Sequence, residues 1–234
     1  MDPFQPVMQP RDTDRPRAPR ARTLRLLASL NCDGRHGLGL LALCALLLLP
    51  VLGGDAWRDS LRYERAALAS GQLWRLFTGH LVHLDLAHAV LNTLGLILMW
   101  ALFARDYGVR QWVAIVLGSI LAIDSGLWLR DSTIAWYVGS SGALHGVMAA
   151  GTVAHLRRRE PDGWLLAAFL LVKLGYEQAS GALPFSHSGP VVVNAHLYGA
   201  VAGLVIAQVL GRRRPGGGDR GAGGLRGTPA SPSV

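Results

Sequence analysis

The stretch GSSGALHG, residues 139–146, opens an apolar segment with a serine bracketed by glycines. Polar groups within hydrocarbon are costly and are kept mostly for function. Working outward, two more apolar stretches start in the same way. HAVLN at 88–92 carries His88 and Asn92, and NAHLYGAVAG at 194–203 carries His196. A serine, a histidine and a separate imidazole/amide pair at one depth form the equipment for acyl transfer.

Composition sets the frame. Of 234 residues, 50% are hydrophobic and 16% charged, which admits either a membrane protein or an Ala/Leu-rich soluble one. Segmentation decides for the membrane. The net charge of +8 is nearly all arginine, with Lys173 the only lysine. These arginines flank apolar runs, the pattern of membrane topology. Aromatic platforms and a basic stripe on a soluble domain are both lacking, so nucleic acid is not an expected partner. Cys32 and Cys44 predict no disulfide, and no Cys/His spacing of the zinc kind predicts a metal or other cofactor.

The chain divides into a basic tail (1–36), a membrane domain (37–211) and a Gly/Pro-rich tail (212–234). Both ends, 1 to about 24 and 215–234, have the composition of disordered segments. Between them lie six candidate spans, at 37–53, 88–104, 110–129, 141–156, 163–180 and 192–211. A helix crossing the hydrocarbon takes about 20 residues. The first run is read as a retained helix and not as a signal peptide, because no small-x-small cleavage site follows it cleanly. The fold expected is an all-α membrane protein, a six-helix bundle.

Arginine placement orients it. Seven arginines precede the first run; Arg105 and Arg110, Arg157–Arg159 and Arg212–Arg214 fall on the same side of a six-span topology. That side is expected to be cytoplasmic, with both termini. Arg58, Arg62, Arg65 and Arg75 in the first outer loop weaken the asymmetry. Spans two, four and six then all begin on the outer face. His88, Asn92, Ser141 and His196 lie within about two turns of those beginnings, at about 1.5 Å per residue. In the first outer loop, DAWRDSLRYERAALASG (55–71) reads as one amphipathic helix capped by Asp55, stopped by Gly71 and lying at the outer leaflet. A small soluble cap is the alternative.

At a helix start, Ser141 has free backbone N–H groups able to hold an oxyanion. Small-residue helix packing is the plainer explanation of the same stretch, and Ser140 is a rival nucleophile. His196 can accept a serine proton and return it to a leaving amine. Gly142 and Gly146 on one helix, and Ala195, Gly199 and Gly203 on the other, form ridges that let two membrane helices approach closely. His88 and Asn92, one turn apart, can both donate to an oxyanion, or can cross-link helix ends. No carboxylate is placed by spacing to orient His196. Asp124 stands alone, and Glu177 pairs with Lys173 at i, i+4. A serine–histidine dyad without an acid is therefore expected.

At His88-x-x-x-Asn92, Gly139-x-Ser141-Gly142 and Ala195-His196-x-x-Gly199-x-x-x-Gly203 the chain resembles the rhomboid intramembrane serine proteases, over about residues 37–211. WRLFTGHLVH (74–83) is also similar to that family's first loop. The resemblance implies a six-helix bundle with Ser141 as nucleophile and His196 as base. His88, Asn92 and the Ser141 amide would form the oxyanion hole, with Gly139, Gly142, Gly199 and His145 supporting the site. His145 stands where many rhomboids carry a tyrosine stacked on the catalytic histidine; it shares a face with Ser141 and is expected to pack against His196, with a role as competing base the alternative. The compact length and SGALHG resemble the rhombosortase subgroup, whose members are thought to cleave C-terminal Gly-Gly sorting tails of secreted proteins.

The function expected is an endopeptidase that cuts membrane-anchored proteins near the outer end of their spans, in the lipid bilayer. Abundant arginine with one lysine hints at a GC-rich bacterial genome, and the localisation expected is a bacterial inner membrane, with the site opening to the outer, periplasmic side as the topology and the resemblance imply. The alternative is a catalytically inactive, rhomboid-like protein that binds membrane helices. A small transporter is disfavoured by the absence of an inverted repeat.

Overall fold

The computed structural model describes residues 26–182 and 191–212, and the two tails expected to be disordered lie outside them. Six long helices dominate: α1 (Gly34–Leu48), α2 (Leu86–Phe103), α3 (Val109–Leu129), α4 (Ser141–Arg158), α5 (Pro161–Ser180) and α6 (Val193–Arg212). Their ends follow local chemistry. Pro50, lacking an N–H, turns the end of α1 into a 3-10 turn over Leu49–Gly53. The Asp85 carboxylate accepts the His88 N–H at 2.8 Å and caps α2. Pro161 opens α5, where a missing N–H costs nothing, and Gly181 follows its end at φ +82°.

Among the described residues, four stretches are long and apolar enough to cross a membrane: Gly34–Leu61, Leu86–Phe103, Val109–Leu129 and Val193–Gly211. Exposed leucines and valines such as Leu41, Leu94, Leu121, Val172 and Val205 coat the outside of the bundle. So wide an apolar surface suits lipid better than water. α4 is less apolar for a physical reason: every residue from Met148 to His155 is buried by neighbouring helices, so small and polar side chains serve there.

The close approach of α4 and α6 organises the bundle. A Cβ on Gly199 would stand 2.0 Å from the Gly142 carbonyl oxygen, and one on Gly203 would stand 2.1 Å from that of Gly146. α3 joins at the same level, where Ser119 Oγ donates to Ile115 O at 2.8 Å and lies 3.4 Å from Gly199 O. With no hydrophobic drive between helices in lipid, such backbone proximity is a main source of association. Met99, Phe103, Met148, Leu170 and Leu174 fill the space between α2, α4 and α5.

The first loop departs from the expected single amphipathic helix. Helix Gly54–Leu61 ends at Arg62, whose backbone is extended, and a second short helix covers Arg65–Ala69. Between them β1 (Tyr63–Glu64) pairs antiparallel with β2 (Trp136–Tyr137). Burial of Tyr63, wholly out of solvent, breaks the helix: its ring enters the core that holds Leu68, Ile123, Leu127 and Tyr137. Trp57 is exposed and Leu68 buried, so they do not share one face. Asp55 lies inside the first turn, and no side chain caps that helix.

The loop's arginines act as clamps. Arg75, buried, donates to Asp59 O and Arg62 O, both at 2.9 Å. Arg65 donates to Leu127 O and Asp131 O and lies over the Trp128 ring. The loop is thus a packed cap over the α3–α4 end of the bundle. At the opposite end, His155 is flanked by Asp162 at 2.9 Å and Asp106 at 3.1 Å, and Arg158 donates to Asp106 and Glu160. Burial pushes the Asp106 carboxyl above the usual range, against the pull of Arg158 and His155.

Candidate active site

Ser141 is the first residue of α4, and His196 lies one turn into α6. The glycine contacts set both helices close enough for Ser141 Oγ to stand 2.9 Å from His196 Nε2. The other ring nitrogen, Nδ1, lies 2.9 Å from Glu177 Oε2 on α5. A carboxylate only accepts, so Nδ1 carries the proton and donates it, and Nε2 is left to accept from the serine hydroxyl. Glu177 is 3% exposed, and its second oxygen takes a bond from Lys173 Nζ at 2.5 Å.

His145, one turn after Ser141, stacks on His196 with ring centroids 4.2 Å apart and planes 16° from parallel. Its Nδ1 donates to the Ser141 carbonyl at 2.7 Å. His145, Glu177 and His196 bring three ligand-type atoms within 4.8 Å of one another. Two stacked imidazoles direct their lone pairs along separate parallel planes, and the Lys173 ammonium occupies the carboxylate. The trio is therefore ill-shaped for a shared cation.

Asn92 is buried, donates one N–H to His88 O at 3.0 Å and accepts from Ser140 Oγ at 3.2 Å. One amide N–H remains for another acceptor. The Ser140 hydroxyl is thus committed to Asn92, while that of Ser141 faces His196. His88 Nδ1 accepts the Leu84 N–H at 3.4 Å, which leaves the proton on Nε2. That edge of the ring faces Gly139: a Cβ there would meet His88 Cε1 at 2.9 Å and Nε2 at 3.0 Å. Gly139 also sits at φ +111°, a conformation open to glycine alone. Gly142 is tight as well, since a Cβ would lie 2.9 Å from Ala195 O.

His83 packs edge-on against His88, and burial pushes its imidazole down to about 4, helped by His88 beside it. His80 Nε2 meets Asp124 Oδ1 at 3.2 Å, both buried, and so pins the first loop to α3. Asp124 therefore serves the loop and Glu177 serves His196. A cavity of about 670 Å³ opens from these groups. Its polar end holds His88, Asn92, Ser141 and His196, and its apolar walls are Leu91, Met99, Leu144, Met148 and Phe169 from α2, α4 and α5.

The structure places Ser141, His196, His145, Asn92 and His88 around one cavity. It corrects the expectation of a histidine without an acid, because Glu177 contacts His196. Its i, i+4 spacing to Lys173 was the visible signal, but that spacing says nothing of α6, whose register against α5 arises only in the folded bundle.

A membrane-embedded bundle with a serine–imidazole pair in an apolar cavity defines a class, and comparison with known proteins gives it a family. Residues 70–213 match the rhomboid domain, and the chain belongs to the rhomboid family. It is 26% identical over 159 residues to YdcA of Bacillus subtilis (strain 168), a candidate rhomboid protease, covering 68% of this chain and 78% of that protein. It is 26% identical over 177 residues to the rhomboid protease GluP of the same organism, covering 72% and 33%. Against the rhomboid protease GlpG of Pectobacterium atrosepticum, identity is 33% over 150 residues, covering 58% and 48%. The chain thus aligns with half or less of the length of the last two. Family and apolar helices together make it a multi-pass membrane protein.

Proposed function

We propose that this chain is an intramembrane serine endopeptidase in which Ser141 is the nucleophile and His196 the general base. The observation that carries it is the 2.9 Å contact between Ser141 Oγ and His196 Nε2, with the imidazole in the accepting tautomer. Attack of Oγ on a substrate carbonyl passes the hydroxyl proton to Nε2. The oxyanion is taken by the Ser141 amide, the spare Asn92 N–H and His88 Nε2–H. Collapse of the tetrahedral species breaks the C–N bond, and Nε2 returns its proton to the leaving amine. His196 then draws a proton from water as its oxygen attacks the acyl carbonyl, and collapse of this second tetrahedral species breaks the ester bond, Ser141 Oγ taking the proton back from Nε2. His145 supports the imidazole by stacking, and Gly139, Gly142 and Gly199 supply the close approaches.

All six long helices cross the bilayer in this reading, within a domain spanning 37–211 between tails at 1–36 and 212–234. Arg105, Arg157 and Arg158 stand at the helix ends away from Ser141, which supports a cytoplasmic placement of that end. In the first loop, Arg65 and Arg75 are held by backbone carbonyls and Arg58 and Arg62 are paired with Asp55, Asp59 and Glu64, which lessens their weight against it. The site then opens to the outer face of a bacterial inner membrane. The apolar cavity between α2 and α5 suits a membrane-anchored protein segment. A peptide bond inside a helix is shielded, so the segment must unwind, and glycines favour that. Together with the sequence resemblance of SGALHG, this supports C-terminal Gly-Gly sorting tails as the substrate class.

The test is cleavage by the full chain in liposomes of a membrane-anchored reporter with a Gly-Gly tail, set beside one with a Gly-free, leucine-rich tail. Cleavage of the first alone fits the narrow reading and cleavage of both the broad one. No cleavage of either overturns the assignment. Asn92→Ala is expected to lower kcat by about 10²–10³-fold, the cost of one oxyanion donor, with little change in KM. Steady-state kinetics on the same reporter check it.

A further inference from the structure

We propose that Glu177 is a positioning residue for the reaction at Ser141, holding His196 in the orientation and tautomer a base requires, with Lys173 as its counter-ion. This rests on the reading of Ser141 and His196 as nucleophile and base.

The two carboxylate oxygens are divided between two partners. Oε2 faces His196 Nδ1 at 2.9 Å, and Oε1 takes the Lys173 ammonium at 2.5 Å. Glu177 is buried, and burying a charge is tolerated where it is both paired and hydrogen-bonded. Lys173 and Glu177 lie one turn apart on α5 and both reach the cavity. The bond to Nδ1 fixes the proton there, so Nε2 always presents its lone pair to Ser141. When the serine proton arrives on Nε2, the imidazolium forms beside the carboxylate, and its positive charge is balanced in place. The Nδ1 proton never leaves. Only the Nε2 proton moves on, to the departing amine.

The placement also ties chemistry to α5. Ser141 and His196 come from α4 and α6, yet the aim of the imidazole is set from a third helix. That helix, through Phe169 and Lys173, also walls the cavity. Displacing α5 therefore unseats the carboxylate as well as opening the wall.

The experiment compares wild type, E177D, E177Q, K173M and K173M/E177Q in liposomes on the reporter. The double variant matters because E177Q alone leaves the lysine unpaired in the bundle. Both E177Q and the double variant are expected to lose about 10²-fold or more in kcat, with KM held. The acid limb of their rate profile moves to lower pH, because the imidazolium has lost its balancing charge. K173M loses less, and E177D recovers part of the rate. A clip that merely fastens α5 to α6 would lower thermal stability and leave the limb in place. A double variant cleaving at the wild-type rate with an unmoved acid limb overturns the proposal.

A second readout needs no turnover. S141A should show a strongly downfield imidazole N–H resonance from His196 that vanishes in S141A/E177Q. Its absence from S141A overturns the positioning role. If it is present while the wild type cleaves nothing, the hydrogen bond stands and the protease reading is what fails.

Discussion

Ser141→Ala and His196→Ala are each expected to reduce cleavage to the level of the double variant, with no further loss when the two are combined. The serine hydroxyl donates to Nε2 at 2.9 Å, so each group has a chemical task only in the presence of the other. Alanine at 141 removes the atom that forms the acyl bond. Alanine at 196 removes the ring nitrogen that the hydroxyl contacts at 2.9 Å, while His145 is held with its Nδ1 on the Ser141 carbonyl. Groups that act as a unit are strongly non-additive, and losses in serine hydrolases reach about 10⁶-fold in kcat. What survives comes from the oxyanion donors and substrate binding, which by themselves supply about 10³–10⁴-fold over water. Single-turnover product formation on the membrane reporter measures it. Substantial cleavage by Ser141→Ala would sink the nucleophile assignment, and by His196→Ala the base assignment. In the second case His145→Ala, made in the same background, identifies the substitute base.

Much of this site was legible because membrane helices concentrate information. Long apolar runs have few alternatives to helix, so α4 was expected to begin at Ser141 and does. α2 begins two residues before the expected His88, since Asp85 caps it by accepting the His88 N–H, a local bond that apolar periodicity does not register. The four-residue spacing of Gly142/Gly146 and Gly199/Gly203 announced a close crossing, and the crossing put Ser141 and His196 at one level. Other features depend on distant pairings. The first loop has helix-forming residues throughout 55–70, yet Tyr63 is drawn into the core and pairs with Tyr137, seventy-odd residues on, and this tertiary gain breaks the helix. The Glu177 contact likewise depends on how α5 is seated against α6, which no local spacing encodes. The first-loop arginines are of the same kind: counted as charges they weigh against the expected topology, yet Arg75 and Arg65 are donors to backbone carbonyls, which only the folded loop reveals.

Gly199→Ala is expected to cost more than any other single methyl added to this bundle, because it acts on the reacting pair through the backbone. The new Cβ would lie 2.0 Å from the Gly142 carbonyl oxygen, where real contacts stay beyond 3.0 Å, so α6 must retreat from α4 by about 1 Å. Gly142 directly follows Ser141, and Gly199 is one turn from His196, so that retreat falls on the 2.9 Å contact. Stretched by that much it leaves the hydrogen-bonding range. A misplacement of about 1 Å at a catalytic pair costs about 10²-fold in rate, and overpacking adds about 1–3 kcal/mol of destabilisation. Gly203→Ala provides the comparison. Its Cβ would meet Gly146 O at 2.1 Å, an equal clash one turn further from the site, so stability should fall alike while the rate falls less. Gly175→Ala on α5, where nothing lies within 4 Å, should leave both unchanged. Thermal unfolding in detergent, paired with reporter cleavage by the folded fraction, separates the two effects. A Gly199→Ala protein with wild-type rate and stability would mean that α4 and α6 do not cross at these glycines, and the 2.9 Å contact would then have to be formed in some other way.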